Sequence, residues 1–342
     1  MPSDQTEPLP QPSHGGPHVV LLGAGASRAA FPGGDKSGRK LPLLPDLIEV
    51  CGLGPVLDSF GVPYGDENFE ALYSRLATTS LNADCLAVIE LSIFRYFERL
   101  EVPKQPTLYD HLVLSLREQD AIVTFNWDPF LWQALARVSK HAPTPIPIFL
   151  HGNVAVGYCR NHKPVTLGWR NNTCGVCQRP LEDSKLLYPV AQKNYNSDPF
   201  LVDAWSEVQR YLKHTFVFSI FGYSAPDTDV EAKTLLQHGW GNADDRFAEQ
   251  IEIIDIKPVE ELQRTWRPFI HTEHFHVCRS FYESVIAKFP RRSSEAMWDA
   301  LLMNRPHQER PLPQMADWPE LLSWFQPLIE QERQFNQGPT AK

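Results

Sequence analysis

The stretch Ala121-Ile-Val-Thr-Phe-Asn-Trp-Asp128 decides the fold, because it joins a buried strand to a set of polar side chains. Its first three residues are apolar and partly β-branched, which predicts a buried strand. Thr124, Asn126 and Asp128 follow at alternate positions, so they point the same way if the chain is still extended there. Pro129 then opens a helical pattern, as proline does in a first turn. A strand that ends in polar side chains and leads directly into a helix is how an open α/β sheet builds a ligand crevice.

Other apolar runs predict further strands of the same parallel sheet. They are His18–Leu22, Ile146–Leu150, Thr215–Phe221 and Ile251–Ile256. The nearly continuous run ending at Phe221 is typical of a central parallel strand that is covered on both faces. His151-Gly152, Gly222-Tyr-Ser224 and Asp255 lie at or near the ends of these runs, where the crevice is expected. Residues 46–119 show mostly helical spacing, so the sequence predicts an open parallel α/β sheet with several helices inserted after the first strand.

A glycine turn follows the first predicted strand and reads Gly23-Ala24-Gly25-Ala26-Ser27. A strand, a tight glycine turn and a helix together cradle phosphate with backbone N–H groups. The dinucleotide-binding fingerprint would place a third glycine where Arg28 stands, so this is not the usual nicotinamide-dehydrogenase loop. Two interpretations stay open: the turn binds an anion, or its glycines serve only the tight geometry. Two interpretations also stay open for Asp255: it binds ribose hydroxyls, or it only lies at a strand edge.

Four metal-ligand side chains are paired within a polar segment, residues 154–183, that glycine and proline interrupt. They are Cys159 and His162, followed by Cys174 and Cys177. Two such knuckles separated by a short span predict a structural tetrahedral zinc site. Four protein ligands leave no position open for a catalytic water, so the metal is expected to hold the module together.

Composition limits the class of function. The 342 residues carry a formal net charge of −9, which argues against electrostatic binding to nucleic acid or anionic lipid. We expect a cytoplasmic protein with no membrane span, in which the six cysteines are not in disulfides. Residues 1–17 are rich in Pro, Ser and Gln, which predicts disorder. Residues 291–342 combine a proline-rich linker with an amphipathic helix, and two positions stay open for the aromatic side chains Trp298, Trp318, Trp324 and Phe325: on the main domain or on another subunit. We expect the tail to be an interaction element that binds a second copy of the chain or a partner protein.

Taken in order, these motifs resemble those of the sirtuin superfamily, and more narrowly the bacterial sirtuin-like proteins that consume NAD, several of which act in phage defence. The resemblance spans about residues 17–290, so we predict one catalytic domain over 18–290. It implies a Rossmann-like α/β NAD domain with a smaller module formed from the helical insertion, 46–119, and a zinc ribbon, 154–183. It implies that Gly23, Ala24, Gly25 and Ser27 hold the NAD phosphates, beside Thr124 in the signature strand. It further implies that Asn126 and Asp128 hold the nicotinamide ribose and order a water, that His151 is the base, and that Gly222 and Ser224 contact the adenosine side.

The chain departs from the pattern of protein-deacylating sirtuins in two respects. Phe31-Pro-Gly-Gly-Asp-Lys36 replaces their Gly-Ile-Pro-Asp-Phe-Arg segment, and Tyr188-Pro-Val190 appears where their substrate-strand Phe-Gly-Glu would stand, which argues against an acyl-lysine channel. Phe125 stands where those enzymes have Gln, and with Trp127 it bears on how nicotinamide is placed. We therefore predict an NAD hydrolase that releases nicotinamide and ADP-ribose, for NAD depletion in phage defence. A protein deacylase or ADP-ribosyltransferase, and a non-catalytic NAD or ADP-ribose sensor, are the alternatives.

Overall fold

The structure is a computed structural model, and it describes most of the chain. The described residues are 15–78, 82–162, 164–188, 198–226, 229–244, 246, 249–271, 274–315 and 317–336. Most of the N-terminal segment that was predicted to be disordered, residues 1–14, lies outside them. Residues 15–17 are packed: the Ser294 hydroxyl donates to the Gly15 carbonyl at 2.8 Å, and the Phe216 N–H donates to the Pro17 carbonyl. Within these ranges, no helix combines the length and apolarity that crossing a bilayer requires.

Nine strands are present in the described part of the chain and form two sheets. They are β1 (His18–Leu22), β2 (Ala121–Thr124), β3 (Ile146–Phe149), β4 (Val156–Cys159), β5 (Thr166–Trp169), β6 (Glu182–Asp183), β7 (Val217–Phe221), β8 (Gln250–Ile254) and β9 (Phe275–Cys278). The larger sheet has the order β3-β2-β1-β7-β8-β9, and all its neighbouring strands are parallel. This confirms the α/β Rossmann-like sheet that the sequence predicts.

The helices follow the strands in the manner of an α/β protein. They are α1 (Ala24–Ala30), α2 (Leu47–Val50), α3 (Gly54–Ser59), α4 (Phe69–Ala77), α5 (Ala83–Glu98), α6 (Leu108–Ser115), α7 (Phe130–Val138), α8 (Pro199–His214), α9 (Val230–Trp240), α10 (Val259–Trp266), α11 (Val285–Lys288), α12 (Ser293–Leu302) and α13 (Trp318–Asn336). Helices α2 to α6 form the insertion between β1 and β2.

Each face of the parallel sheet is covered by a different group of helices. Val20, Leu22 and Ile122 belong to one core, which they share with side chains of α4 to α7 and α13. The alternate residues of the same strands belong to a second core with α8, α9 and α10. Because side chains alternate along a strand, burial on both faces produces the continuous apolar runs seen in the sequence.

The order in which the chain adds strands to the sheet reverses at β1. From β1 the chain builds outward through β2 to β3, then returns to β7 on the other side of β1 and continues to β8 and β9. In an open parallel sheet, ligands bind beyond the carboxyl ends of the strands at such a switch point. The fold therefore locates the crevice between the ends of β1 and β7.

The C-terminal helix docks on the main domain, which is one of the two positions that the sequence left open for its aromatic side chains. In α13, Leu321 and Phe325 are fully buried and Ile329 nearly so, all within the core that covers one sheet face. Arg291 is also buried; its guanidinium donates to the carboxylate of Glu332 and to backbone carbonyls of α6 and the residue after it. The amphipathic stripe of this helix is thus covered by the protein's own domain, while binding of a second copy or a partner stays a prediction.

Candidate active site

Five segments that contain the predicted site residues begin where parallel strands end. Backbone hydrogen bonds extend the sheet past the strand ends: the Gly23 N–H donates to Phe221, and the Phe125 N–H donates to Leu22. In the same way the Leu150 N–H donates to Thr124, and the Gly222 N–H donates to Ile254. Gly23, Asn126, His151, Gly222 and Asp255 therefore lie along one edge of the sheet, as the sequence predicts.

Asn126, Asp128 and Ser27 form one buried hydrogen-bonded cluster. The Asn126 carboxamide nitrogen donates to the Gly23 carbonyl at 2.9 Å and to Ser27 Oγ at 3.0 Å. Ser27 Oγ donates to Asp128 Oδ2 at 2.6 Å. Since the Gly23 carbonyl only accepts, the carboxamide nitrogen must face it, and Asn126 Oδ1 points away from that carbonyl.

Two residues that the sequence analysis missed complete this cluster. The hydroxyl of Tyr109, on α6, lies 2.7 Å from Ser27 Oγ and 3.3 Å from the Asn126 carboxamide nitrogen. The side chain of Asn153 donates to the Asp128 carbonyl at 2.6 Å and so fixes the loop backbone. Asn153 had a sequence signal, a polar residue just after the third predicted strand, whereas Tyr109 lies in the helical insertion with nothing to set it apart.

Burial controls the charge of this cluster. Asp128 is almost completely buried, and desolvation raises the pKa of its carboxyl to about 6, against the lowering effect of the Ser27 hydroxyl. Burial also raises the pKa of the Tyr109 phenol well above its ordinary value, with the Asp128 charge acting in the same direction. The tyrosine is therefore a neutral hydroxyl at physiological pH, while Asp128 is a carboxylate above about pH 6.

His151 lies at the end of the neighbouring strand, among aromatic side chains. Its ring centroid is 4.6 Å from that of Phe125, and the Phe125 ring stacks on Tyr223 at 4.4 Å. Gly152 follows with φ of +72°, where an added Cβ would lie 2.1 Å from the Lys185 carbonyl. Only glycine fits this turn, which carries the chain from His151 into the small sheet.

The glycine turn after β1 interlocks with the turn after β7. The Gly25 N–H donates to the Gly222 carbonyl at 2.9 Å. Gly222 has φ of +62°, and a Cβ there would lie 2.2 Å from the Ala26 backbone nitrogen. These contacts give the glycines a packing role independent of any ligand. Among the other residues predicted to bind the cofactor, Ala24 and Ser224 are exposed, Asp255 is half-buried, and the Thr124 hydroxyl accepts from the Asn126 N–H.

The four predicted metal ligands come together beside the smaller sheet, where Cys159 ends β4 and the other three lie in the connecting segments. Strand β4 pairs antiparallel with β5 and β6. The Sγ atoms of Cys159 and Cys177 lie 3.6 Å apart, Cys174 Sγ lies 3.5 Å from His162 Nε2, and all four ligand atoms lie within 4.8 Å of one another. Tetrahedral zinc with its usual bond lengths implies ligand–ligand edges of roughly 3.5–3.8 Å. The donor set and its spacing therefore fit a structural zinc ion.

A cavity of about 860 Å³ lies apart from the crevice. It follows the outer edge of β3, between α7, the small sheet and α8, and its wall includes Trp132, Ile146, Trp169 and Tyr211. Neither the Asn126 cluster nor the glycine turn contributes to its lining. The cavity is thus separate from the predicted site.

Comparison with known proteins returns solved Sir2 structures. No family model matches the chain, and no curated protein matches it. A Sir2 homologue in complex with NAD is 16% identical, with a TM-score of 0.37 over 82% of this chain and 90% of that chain. A structure concerned with the mechanism and regulation of Sir2 enzymes is 12% identical, with a TM-score of 0.37 over 92% and 93% of the two chains. A third, on the structural basis of sirtuin substrate affinity, is 17% identical, with a TM-score of 0.37 over 78% and 90%. All three are Sir2 or sirtuin structures, and their similarity to this chain is at low identity and low TM-score.

Proposed function

We propose that this protein hydrolyses NAD at the nicotinamide–ribose bond, giving nicotinamide and ADP-ribose. The observation that carries the proposal is the buried cluster of Asn126, Asp128 and Ser27, which lies beyond the carboxyl ends of β1 and β2, next to the switch point of the parallel sheet. NAD is proposed as the substrate because the motifs quoted above, in their order along the chain, resemble those of NAD-consuming sirtuin-like proteins. NAD depletion in phage defence is the biological role that the same resemblance implies.

The chemistry needs few groups. Breaking the nicotinamide–ribose bond develops positive charge at the ribose carbon, as in glycoside hydrolysis. Nicotinamide already carries its positive charge in NAD, so its departure requires no general acid. What accelerates the reaction is a carboxylate near the developing cation, a polar group that orients the attacking water, and a base that accepts the water's proton.

Each of these roles has a candidate side chain. Asp128 supplies the carboxylate, and its burial in a low-dielectric surrounding strengthens its interaction with the ribose cation. Asn126 Oδ1 is the group proposed to hold the water, because the carboxamide nitrogen is fixed by the Gly23 carbonyl and Ser27. His151, at the end of the adjacent strand, is proposed as the base. Zinc at the Cys₃His centre would support the small sheet and take no part in the reaction.

Water is the proposed acceptor, since the replacement of the Gly-Ile-Pro-Asp-Phe-Arg segment and the absence of the deacylases' Phe-Gly-Glu argue against an acyl-lysine channel. Phe125, which stands where deacylases have Gln, bears instead on the placement of nicotinamide: its ring stacks on Tyr223 and contacts His151.

The test is to incubate purified protein with NAD alone and to quantify nicotinamide and ADP-ribose by chromatography. The proposal predicts equimolar release of both without a peptide. A parallel reaction with an acetyl-lysine peptide separates the alternatives: nicotinamide release that requires the peptide identifies a deacylase. Binding of NAD or ADP-ribose without any turnover, including with candidate protein acceptors, identifies a sensor.

A further inference from the structure

We propose that Tyr109 is a positioning residue for the reaction, an inference that rests on the proposed function. Tyr109 belongs to the helical insertion and not to the strand ends. Its phenol nevertheless enters the centre of the Asn126 cluster, and its side chain is 1% exposed. We infer that its hydroxyl fixes the Ser27 hydroxyl and the Asn126 carboxamide in the orientations that the reaction uses.

Hydrogen-bond chemistry determines which atoms donate in this cluster. An ionised Asp128 carboxylate accepts only, so Ser27 must donate its single proton to it. The Ser27 oxygen is then left with lone pairs, and it accepts from the Asn126 carboxamide. The remaining partner at 2.7 Å is the Tyr109 hydroxyl, which must therefore donate to Ser27. Both hydroxyl protons of the cluster are thereby assigned once Asp128 is ionised.

The same hydroxyl also contacts Asn126 directly. The Asn126 carboxamide nitrogen lies 3.3 Å from the Tyr109 oxygen, within reach of the lone pairs that tyrosine keeps after it donates to Ser27. Together with the Gly23 carbonyl and Ser27 Oγ, this gives the nitrogen three acceptors around it. These partners restrict rotation of the carboxamide, and so they fix the direction of Asn126 Oδ1.

Helix α6 can hold the phenol rigidly because both of its ends are tied. At its start, Thr107 and Asp110 form a reciprocal capping box, and Asp110 also pairs with Arg137 of α7. At its end, the Arg291 N–H donates to the Ser115 carbonyl at 2.6 Å. The helix that carries Tyr109 is therefore held in place, and a residue that orients a reactive group needs such a rigid support.

Removing only the hydroxyl isolates its role. In Tyr109→Phe the ring still fills its buried site, while Ser27 loses a donor and the Asn126 nitrogen loses an acceptor. We expect kcat to fall about 10- to 100-fold, because small misplacements of an orienting group cost catalysis on this scale. The KM for NAD should change less than about threefold, since Tyr109 is buried behind the cluster and is not proposed to touch NAD.

The matched control is Tyr73→Phe, which removes another buried tyrosine hydroxyl of the helical insertion, one that donates to Glu90 and not to the Asn126 cluster. It should retain wild-type kcat and KM. A purely structural role for the Tyr109 hydroxyl would lower the stability of the variant and leave the kcat of its folded fraction unchanged.

A double-mutant cycle of Tyr109→Phe with Ser27→Ala, followed by urea unfolding, provides a readout without catalysis. We expect the two changes in the unfolding equilibrium constant to be non-additive by at least about threefold.

The outcomes separate this inference from the proposed function. Turnover by the wild type, with a reduced kcat in Tyr109→Phe and non-additivity in the cycle, supports the inference. Turnover by the wild type with an unchanged kcat in Tyr109→Phe, or with additive effects in the cycle, overturns the role of Tyr109 and leaves NAD hydrolysis standing. Absence of turnover in the wild type overturns both.

Discussion

Phe325 lies at the centre of the C-terminal helix α13, and replacing it by alanine tests whether this helix belongs to the core. Its side chain is fully buried, and Leu321 and Ile329 flank it one helical turn away on the same face. Truncating a buried phenylalanine removes its transfer free energy and leaves a cavity, which together cost about 3–5 kcal/mol. A whole domain is stable by only about 5–15 kcal/mol, so Phe325→Ala should lose a large part of the total.

Urea unfolding followed by tryptophan fluorescence measures this loss. The matched control is Gln326→Ala, the next residue, whose exposed side chain donates to Glu330 at 2.8 Å. We expect that control to change the free energy of unfolding by less than about 0.5 kcal/mol. An unchanged unfolding midpoint in Phe325→Ala would refute the packing of α13. For the same reason a chain truncated after Pro290 should be insoluble, not merely altered in oligomeric mass.

Three further results are expected. Metal analysis should return about one zinc per chain. Cys174→Ser should lower the melting temperature by at least about 5 °C, since a structural zinc site contributes folding free energy. A purified chain free of zinc would contradict the Cys₃His assignment. The kcat for NAD should fall about tenfold per unit below about pH 6, where Asp128 becomes protonated. Because burial raises this pKa above that of the unfolded chain, the carboxyl favours the folded state more at low pH, and its contribution declines as pH rises from about 4 to about 6. A flat kcat between pH 5 and 7 would remove Asp128 from the reaction. Gly222→Ala should lower the free energy of unfolding in urea by about 1–3 kcal/mol, since the positive φ of Gly222 and its contact with Ala26 exclude a Cβ. A Gly222→Ala variant as stable as the wild type would contradict the interlocking of the two turns.

Much of the sheet was predictable because both of its faces are covered. The apolar runs at His18–Leu22 and Ala121–Val123 correspond to β1 and β2, and the start of α7 at Phe130 follows Pro129 as expected. The zinc ligands were predictable for a different reason: their paired spacing is a local property that survives without knowledge of the fold.

What could not be predicted depends on contacts between distant segments. Tyr109 and Ser27 are 82 residues apart, and nothing local distinguishes this tyrosine from the other aromatics of the helical insertion. The apolar stripe of α13 was recognisable as amphipathic, but periodicity does not reveal whether a helix packs on its own domain or on another protein. The glycine turn was recognised, whereas its use in backbone packing against Gly222 depends on β7 lying next to β1.

NAD turnover by Asn126→Ala, measured beside NAD binding by calorimetry, tests the central claim most directly. The account predicts a loss of turnover of about 100-fold or more, with a Kd for NAD within about threefold of the wild type, because losing an oriented water affects the transition state more than the ground state. His151→Ala should be inactive as well. A double variant, Asn126→Ala with His151→Ala, that still hydrolyses NAD at the wild-type rate would contradict the account.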